Sequence, residues 1–347
     1  MHRRFACLAA GLTLAIALAA CGSDDSASPT TTPANTATTS AATGVSAAPS
    51  APAGDGAFPM TVQVCGRDWH FDEPPQRIVT TDTPMLDLAI MLGVQDRVVG
   101  YFGSVDHLDP SVQAAAAGLQ RLGDNWPYPT LEAVLAGDPD LVLSYGYNAE
   151  AGFTADRLQE EGIANFTVTE GCDDFDGTST VETYYDDVRT LATILGVGDR
   201  AEALIHGWEA RVDAVRAAAP AGEPIRVLNT GSGDPASPFV SAARAVGHDL
   251  IEIAGGTDVF GDTDAAYLSP TWEEVVARDP QLIIESSGFG EQGLEDVKAH
   301  LRSNPALATM SAVVDDHFTW ITYEQGVPGP QMFTGLETIS AAIIAAS

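Results

Sequence analysis

Aromatic side chains and small polar ones gather where strands are expected to end. In the first half these are Tyr101 and Phe102, Trp126 and Tyr128, then Tyr145, Tyr147 and Asn148; in the second they are Ser232, Tyr267, Ser286, Phe289 and Tyr323. Phenols and indoles present a wide apolar face with one polar tip, and hydroxyls and amides orient a ligand without reacting with it. Open α/β sheets hold ligands at the carboxyl ends of their strands. The pattern therefore predicts a binding site for a bulky, partly aromatic or amphipathic ligand.

The residues that would support other chemistry are not arranged for it. No G-x-S-x-G elbow, Walker loop, or G-x-G-x-x-G opening a helix occurs. Gly231-Ser232-Gly233 follows an expected strand, but Asp234-Pro235 stands where a phosphate-binding helix would begin. His70, His107, His206, His248, His300 and His317 are scattered, with no pair at i and i+4, so each reads as a surface or turn residue and no metal centre or cofactor is expected. An extracellular cleft enzyme is the competing reading, and it lacks a converging nucleophile, base and orienting group. A sensor or structural lipoprotein that binds no cargo is a third.

The formal net charge is −32, which disfavours nucleic acid and polyanions as partners and favours cationic or neutral ligands. Arg3 and Arg4, a mostly apolar run over residues 5–20 and the tetrad Leu18-Ala19-Ala20-Cys21 read as an export signal. The run is short for a spanning helix, which needs roughly 20 apolar residues. The tetrad resembles a bacterial lipobox, making Cys21 the expected acylated residue; ordinary secretion with an incidental Cys is the alternative. Residues 22–57 are nearly all Ser, Thr, Ala, Pro, Gly and Asp, a composition that cannot bury a core and reads as a disordered tether. With Cys7 in the signal and Cys21 carrying lipid, Cys65 and Cys172 are left. In an exported chain without accompanying His spacing, that pair reads as a disulfide.

Residues 129–143, PTLEAVLAGDPDLVL, recur as residues 270–284, PTWEEVVARDPQLII, with eight of fifteen positions identical. An offset of 141 residues is too long for a solenoid and suits a duplicated lobe. A second echo, residues 87–100 against 249–261, occurs in the same order. Expected strands over 60–64, 77–80, 98–101, 141–144, 165–169 and 225–229 alternate with helices over 85–92, from Thr130 to 137, 155–161 and 242–253. That alternation is the grammar of an α/β fold with central parallel sheets. Long helical patterns over 181–195 and 200–219 join the halves without a flexible linker. A stiff connection predicts limited hinge motion; a helix packed on one lobe only is the alternative. The expected organisation is signal 1–20, tether 21–57, first lobe 58–198, interlobe helix 199–220 and second lobe 221–347.

FPMTVQVCGRDWHFDEPPQRIV, PTLEAVLAGDPDLVL, TVETYYDDVRTLATILGVGDRAEAL and PTWEEVVARDPQLII, in that order, resemble the iron-siderophore and cobalamin class of ABC-transporter substrate-binding lipoproteins over about residues 58–340. The resemblance implies two Rossmann-like lobes bridged by a long helix, a ligand held between them, and delivery to a membrane permease by a monomer anchored through Cys21. It further implies that one acidic residue per lobe docks onto permease arginines; the motif position, seven residues before the proline, falls on Glu132 and Glu273. Both stand in the first turn of a helix after a Thr, so the alternative is helix N-terminal electrostatics, worth about 0.3–1 kcal/mol. Thr271 and Glu274 have capping-box spacing, which leaves Glu273 free of that role. Catecholate binders are expected to face their anionic ferric complex with cations. Lys298 is the one lysine, and Arg121 and Arg244 are the nearest arginines in sequence to the expected pocket loops. The leading expectation is thus a receptor for a neutral or cationic ferric hydroxamate siderophore, with cobalamin or haem as alternatives on the same fold.

Overall fold

Each half is built around one strand that begins with an arginine. Arg77 precedes β3 (Ile78–Thr80) and Arg226 opens β8 (Arg226–Thr230). Both arginines donate through Nε to the carbonyl of an aspartate on the turn leading to the neighbouring strand: Arg77 to Asp138, and Arg226 to Asp279 at 2.8 Å. Those aspartates take the left-handed conformation, with φ of 49° and 46°. A short side chain with local hydrogen bonds tolerates that geometry better than a bulky one. Each is followed by the repeat's proline and then a fully buried strand, β6 (Leu141–Ser144) or β12 (Leu282–Glu285). Upstream, Thr130 and Thr271 cap their helices through the side chain, and Thr271 with Glu274 forms the expected capping box. The sequence repeat is thus one structural unit used twice.

The structure, a computed structural model, describes residues 58–231, 234–286 and 290–347. The expected signal, Cys21, the tether, Ser232 and Phe289 lie outside the described residues. The first sheet is parallel throughout, in the order β5 (Arg121–Gly123), β4 (Val98–Phe102), β3, β6, β7 (Ala164–Thr167). In the second, β12 lies between β8 and β13 (Phe318–Trp320), and β10 (Thr257–Asp258) joins β8, all parallel. On the far side, β9 (Val240–Ser241) and β11 (Tyr267–Leu268) run antiparallel. The fold is therefore α/β with two lobes, as the strand–helix alternation predicts. The second echo also has a structural meaning, since β4 and β10 are the equivalent neighbours of the two central strands.

Three sequence boundaries move. The strand expected over 165–169 ends at Thr167, because the Asp187 carboxylate accepts both the backbone N–H and the hydroxyl of Thr169, at 2.9 and 2.7 Å, and draws the chain into a 3-10 turn over Thr169–Gly171. The helix expected from 242 begins at Val246, because Ala242 and Arg244 donate instead to Ala266 and Ala265 in an extended pairing. The long helix expected from 200 begins at Gly198, immediately after Gly196 has reversed the chain at φ 70°.

Helices Val181–Leu195 and Gly198–Ala218 lie between the two sheets in sequence, and Met332–Ala346 packs against the second of them. Trp208 stacks on Phe333 at 4.9 Å between ring centroids, with Tyr184 and Tyr185 alongside. One continuous apolar core runs from Ile78 and Leu141 of the first lobe through these rings to Val227, Leu250 and Leu336. In front, β1 (Met60–Val64) and β2 (Arg67–Phe71) form a hairpin whose two-residue turn, Cys65-Gly66, has φ of 51° and 71°, the left-handed pair that matches strand twist. Cys65 is bonded to Cys172, 107 residues on. Closing a loop of that length is worth about 4–5 kcal/mol in the chain-entropy picture. Replacing both cysteines with serine should therefore lower the unfolding free energy in urea melts by about 3–5 kcal/mol; unchanged stability would refute that role.

Candidate functional site

The turn over Thr169–Gly171 carries Glu170 to the boundary between the lobes. Its side chain is only 8% exposed, so its oxygens must find donors. Oε1 accepts the hydroxyl of Tyr145, just beyond β6, at 3.0 Å, and also the hydroxyl of Tyr267 on β11. Oε2 accepts the backbone N–H of Val246 at 2.8 Å, at the start of a second-lobe helix. One carboxylate is thereby bonded to both lobes.

Beside it lies a cavity of about 220 Å³, lined from the first lobe by Tyr145 and from the second by residues that include Phe239, Ser241, Tyr267, Ser286 and Tyr323. Phe239 stacks on Tyr267 at 5.3 Å, and Tyr323 meets Tyr145 edge to face at 6.4 Å. Ser286 donates to the Asn229 side chain at 2.9 Å. The Ser241 hydroxyl oxygen is closed to solvent and has no hydrogen-bond partner among the described residues. No Lys, Arg or His lines the cavity among the described residues. Arg121 is engaged with Gly103 and Asp124, and Arg244 with Asp264 and Asp176. Burial, reinforced by the Glu170 charge, holds the phenols of Tyr145 and Tyr267 well above the ordinary range, so they remain neutral donors. Burial does the same to Tyr323.

Four of the expected ligand residues, Tyr145, Tyr267, Ser286 and Tyr323, come together at this cavity. Tyr128 adjoins the Tyr323 hydroxyl, and Trp126, 78% exposed, packs edge-on to Tyr128 at 6.0 Å, extending the aromatic surface outward. The remaining four lie elsewhere. Tyr101 and Phe102 are buried in the first lobe's apolar clusters. Tyr147 turns its hydroxyl to Asn165 and Thr167 of β7 and borders a depression beside the disulfide. Asn148 is used up at both ends, donating to the Tyr128 carbonyl at 2.7 Å and accepting from the Ala151 N–H. Glu170, Phe239 and Ser241 were not expected. Glu170 carried a legible signal, being an acidic residue just past a strand's carboxyl end; Phe239 and Ser241 sit in a Pro- and Ser-rich stretch without periodicity.

Glu132 and Glu273 are both exposed, and neither forms an ion pair among the described residues. Glu273 borders a surface depression of about 570 Å³ with Trp272 and His300.

The family described as periplasmic binding protein matches residues 78–322, which contain both central sheets and all of the cavity's lining but its last residues. The chain belongs to that family. It is accordingly a binding protein and not an enzyme, and it acts outside the cytoplasm. Solved structures agree on the fold: a periplasmic binding protein from Veillonella parvula superposes with a TM-score of 0.72 at 20% identity, covering 82% of this chain and 97% of that one. An ABC-type Fe3+-hydroxamate transport system protein from Saccharomonospora viridis gives a TM-score of 0.72 at 26% identity, over 82% and 99%. Among curated relatives, the vitamin B12-binding protein of Vibrio cholerae is 21% identical over 216 residues, 61% of this chain and 71% of that protein. No helix among the described residues of this periplasmic binding protein is long and apolar enough to cross a membrane.

Two further carboxylates of the first lobe, Asp82 and Asp87, are buried. Asp82 caps the helix Thr83–Met91 and also accepts the Tyr145 N–H at 2.8 Å; burial pushes it up to about 7, with the nearby Glu324 charge adding to the effect. Asp87, bonded to Gln331 of the C-terminal segment at 2.7 Å, is likewise pushed to about 7 by burial. A carboxylate with a raised folded-state pKa binds more protons folded than unfolded between about pH 4 and 7, so its contribution to stability falls as pH rises through that window. Thermal melts should show stability increasing from pH 8 down to about 5.5, by on the order of 2 kcal/mol for each of the two groups. Asp87→Asn should flatten the slope, and an unchanged slope would contradict the assignment.

Proposed function

We propose that this periplasmic binding protein is the lipid-anchored receptor of an ABC importer, capturing a ferric hydroxamate siderophore between its lobes. The carrying observation is the cleft itself: an aromatic, hydroxyl-rich cavity with no basic residue in its described lining. A highly anionic ferric catecholate would meet no countercharge there, whereas a neutral or cationic ferric hydroxamate meets phenol faces and acceptor oxygens. The likeness to the Fe3+-hydroxamate system protein over almost its whole length supports the same choice. The cavity's volume, about 220 Å³, falls below the roughly 300–1,000 Å³ of sites that enclose drug-sized ligands. The bulk of such a complex would therefore rest outward, toward Tyr128 and Trp126, or require the lobes to part.

Acylation at Cys21 and a tether over residues 22–57 would hold a monomeric receptor at the outer face of the membrane. Glu132 and Glu273 are the proposed docking carboxylates, each exposed and unpaired on the first turn of an equivalent helix. The vitamin B12-binding relatives and a haem-binding protein of Roseiflexus, with a TM-score of 0.62, make cobalamin and haem the readings to test against.

Titrating the purified protein with ferric trihydroxamates, a ferric catecholate, cobalamin and haem should quench Trp126 fluorescence with the trihydroxamates at the lowest concentrations. Tighter binding of cobalamin or haem would replace the siderophore reading. Glu132→Ala combined with Glu273→Ala should leave ligand affinity within about twofold while reducing cellular uptake of the radiolabelled ligand at least tenfold, the scale of about 1.4 kcal/mol of docking energy. Uptake at the wild-type rate would remove both carboxylates from the interface.

A further inference from the structure

Glu170 accepts three hydrogen bonds from protein groups, and the way it does so fixes what its neighbours can offer. A phenol has one proton to donate. The protons of Tyr145 and Tyr267 both go to Glu170 Oε1, so toward a ligand these two residues of the cavity wall can act only as acceptors, polarised by a buried negative charge. The rest of the enclosure near them is aromatic, from the stacked Phe239 and Tyr267 and the perpendicular Tyr145 and Tyr323. An acceptor-rich aromatic enclosure backed by a carboxylate, with no cation in its described lining, complements a positively charged group carrying N–H donors.

We propose that this cavity is a subsite for a primary ammonium group, so that the ligand captured in the cleft is a cationic complex bearing an aminoalkyl arm. An ammonium's donors would meet the two phenol oxygens, while the aromatic faces attract its charge and pack its methylene stem. A volume of about 220 Å³ admits such an arm and not an iron complex. The proposal deepens the reading of the cleft as a ferric hydroxamate site, and rests on it only for what the arm is attached to.

The test uses three probes on the intact protein at pH 7: a linear ferric trihydroxamate with a terminal primary amine, the same complex N-acetylated at that amine, and butylammonium chloride alone. The aminated complex should bind at least tenfold more tightly than the acetylated one, and butylammonium should compete with it at millimolar concentration. Tyr267→Phe, which removes one of the two acceptors, should reduce that preference severalfold. Glu170→Gln should abolish it, with circular dichroism and a thermal melt checking the fold. Equal binding of the two ferric complexes, or tighter binding of the acetylated one, overturns the ammonium subsite while leaving the siderophore reading intact. Saturable butylammonium binding that Tyr267→Phe weakens, with neither ferric complex bound, upholds the subsite and removes the siderophore reading.

Discussion

At the cleft one buried carboxylate is bonded to both lobes. Glu170 is tolerable at 8% exposure because three donors satisfy it, Tyr145 from one lobe and Tyr267 and Val246 from the other. Taking away the donors of either lobe would strand a charge in a low-dielectric pocket, a cost of several kcal/mol. The turn bearing it is fixed on both sides: Asp187 holds Thr169, and the disulfide from Cys65 holds Cys172. The hairpin in front, the first sheet and the long helix containing Asp187 therefore all converge on the placement of a single side chain.

That arrangement separates the boundary between the lobes into two zones with different responses to strain. At the cleft the joining contacts are polar, and water can replace each of them when the lobes part, so their net contribution is about 1 kcal/mol apiece. Behind the cleft, Trp208 is stacked on Phe333 with Tyr184 tilted against both, in a core shared by both lobes, and separating them would expose apolar surface at roughly 25 cal/mol per Å². Parting the lobes at the polar edge is therefore less costly than separating them at this core.

Most of the framework was legible in the sequence because it follows from local rules. Buried strands such as Leu141–Ser144 are short apolar runs, and Thr130, Thr271 and Thr180 announce the helices they cap. The pairing of Cys65 with Cys172 followed from elimination. The site was half legible. Tyr145, Tyr267, Ser286 and Tyr323 stand near strand ends, where the rule for open sheets points, but so do Tyr101 and Phe102, which face the core. Alternation decides between those two fates, and in a parallel strand buried on both faces there is no polar–apolar alternation to read. Glu170 escaped notice because its role depends on contacts to residues 25, 76 and 97 positions away, which no window of sequence contains.

The duplication separates what the halves share from what they do not. Both copies keep the arginine clamp, the left-handed aspartate and the capped helix that presents Glu132 or Glu273 to solvent. Their cleft faces differ. In the first lobe the outer strand β5 is parallel, and the strand beside it ends in the buried Phe102. In the second, antiparallel β9 and β11 take that place and bring Ser241 and Tyr267, with Phe239 stacked on the latter, to the cavity. Symmetry is retained on the outer helices, where a two-lobed partner would need equivalent contacts. It is lost at the cleft, where a single asymmetric ligand has no use for it. The cavity's described lining comes mainly from the second lobe, with the first supplying Tyr145 and the carboxylate bonded behind it.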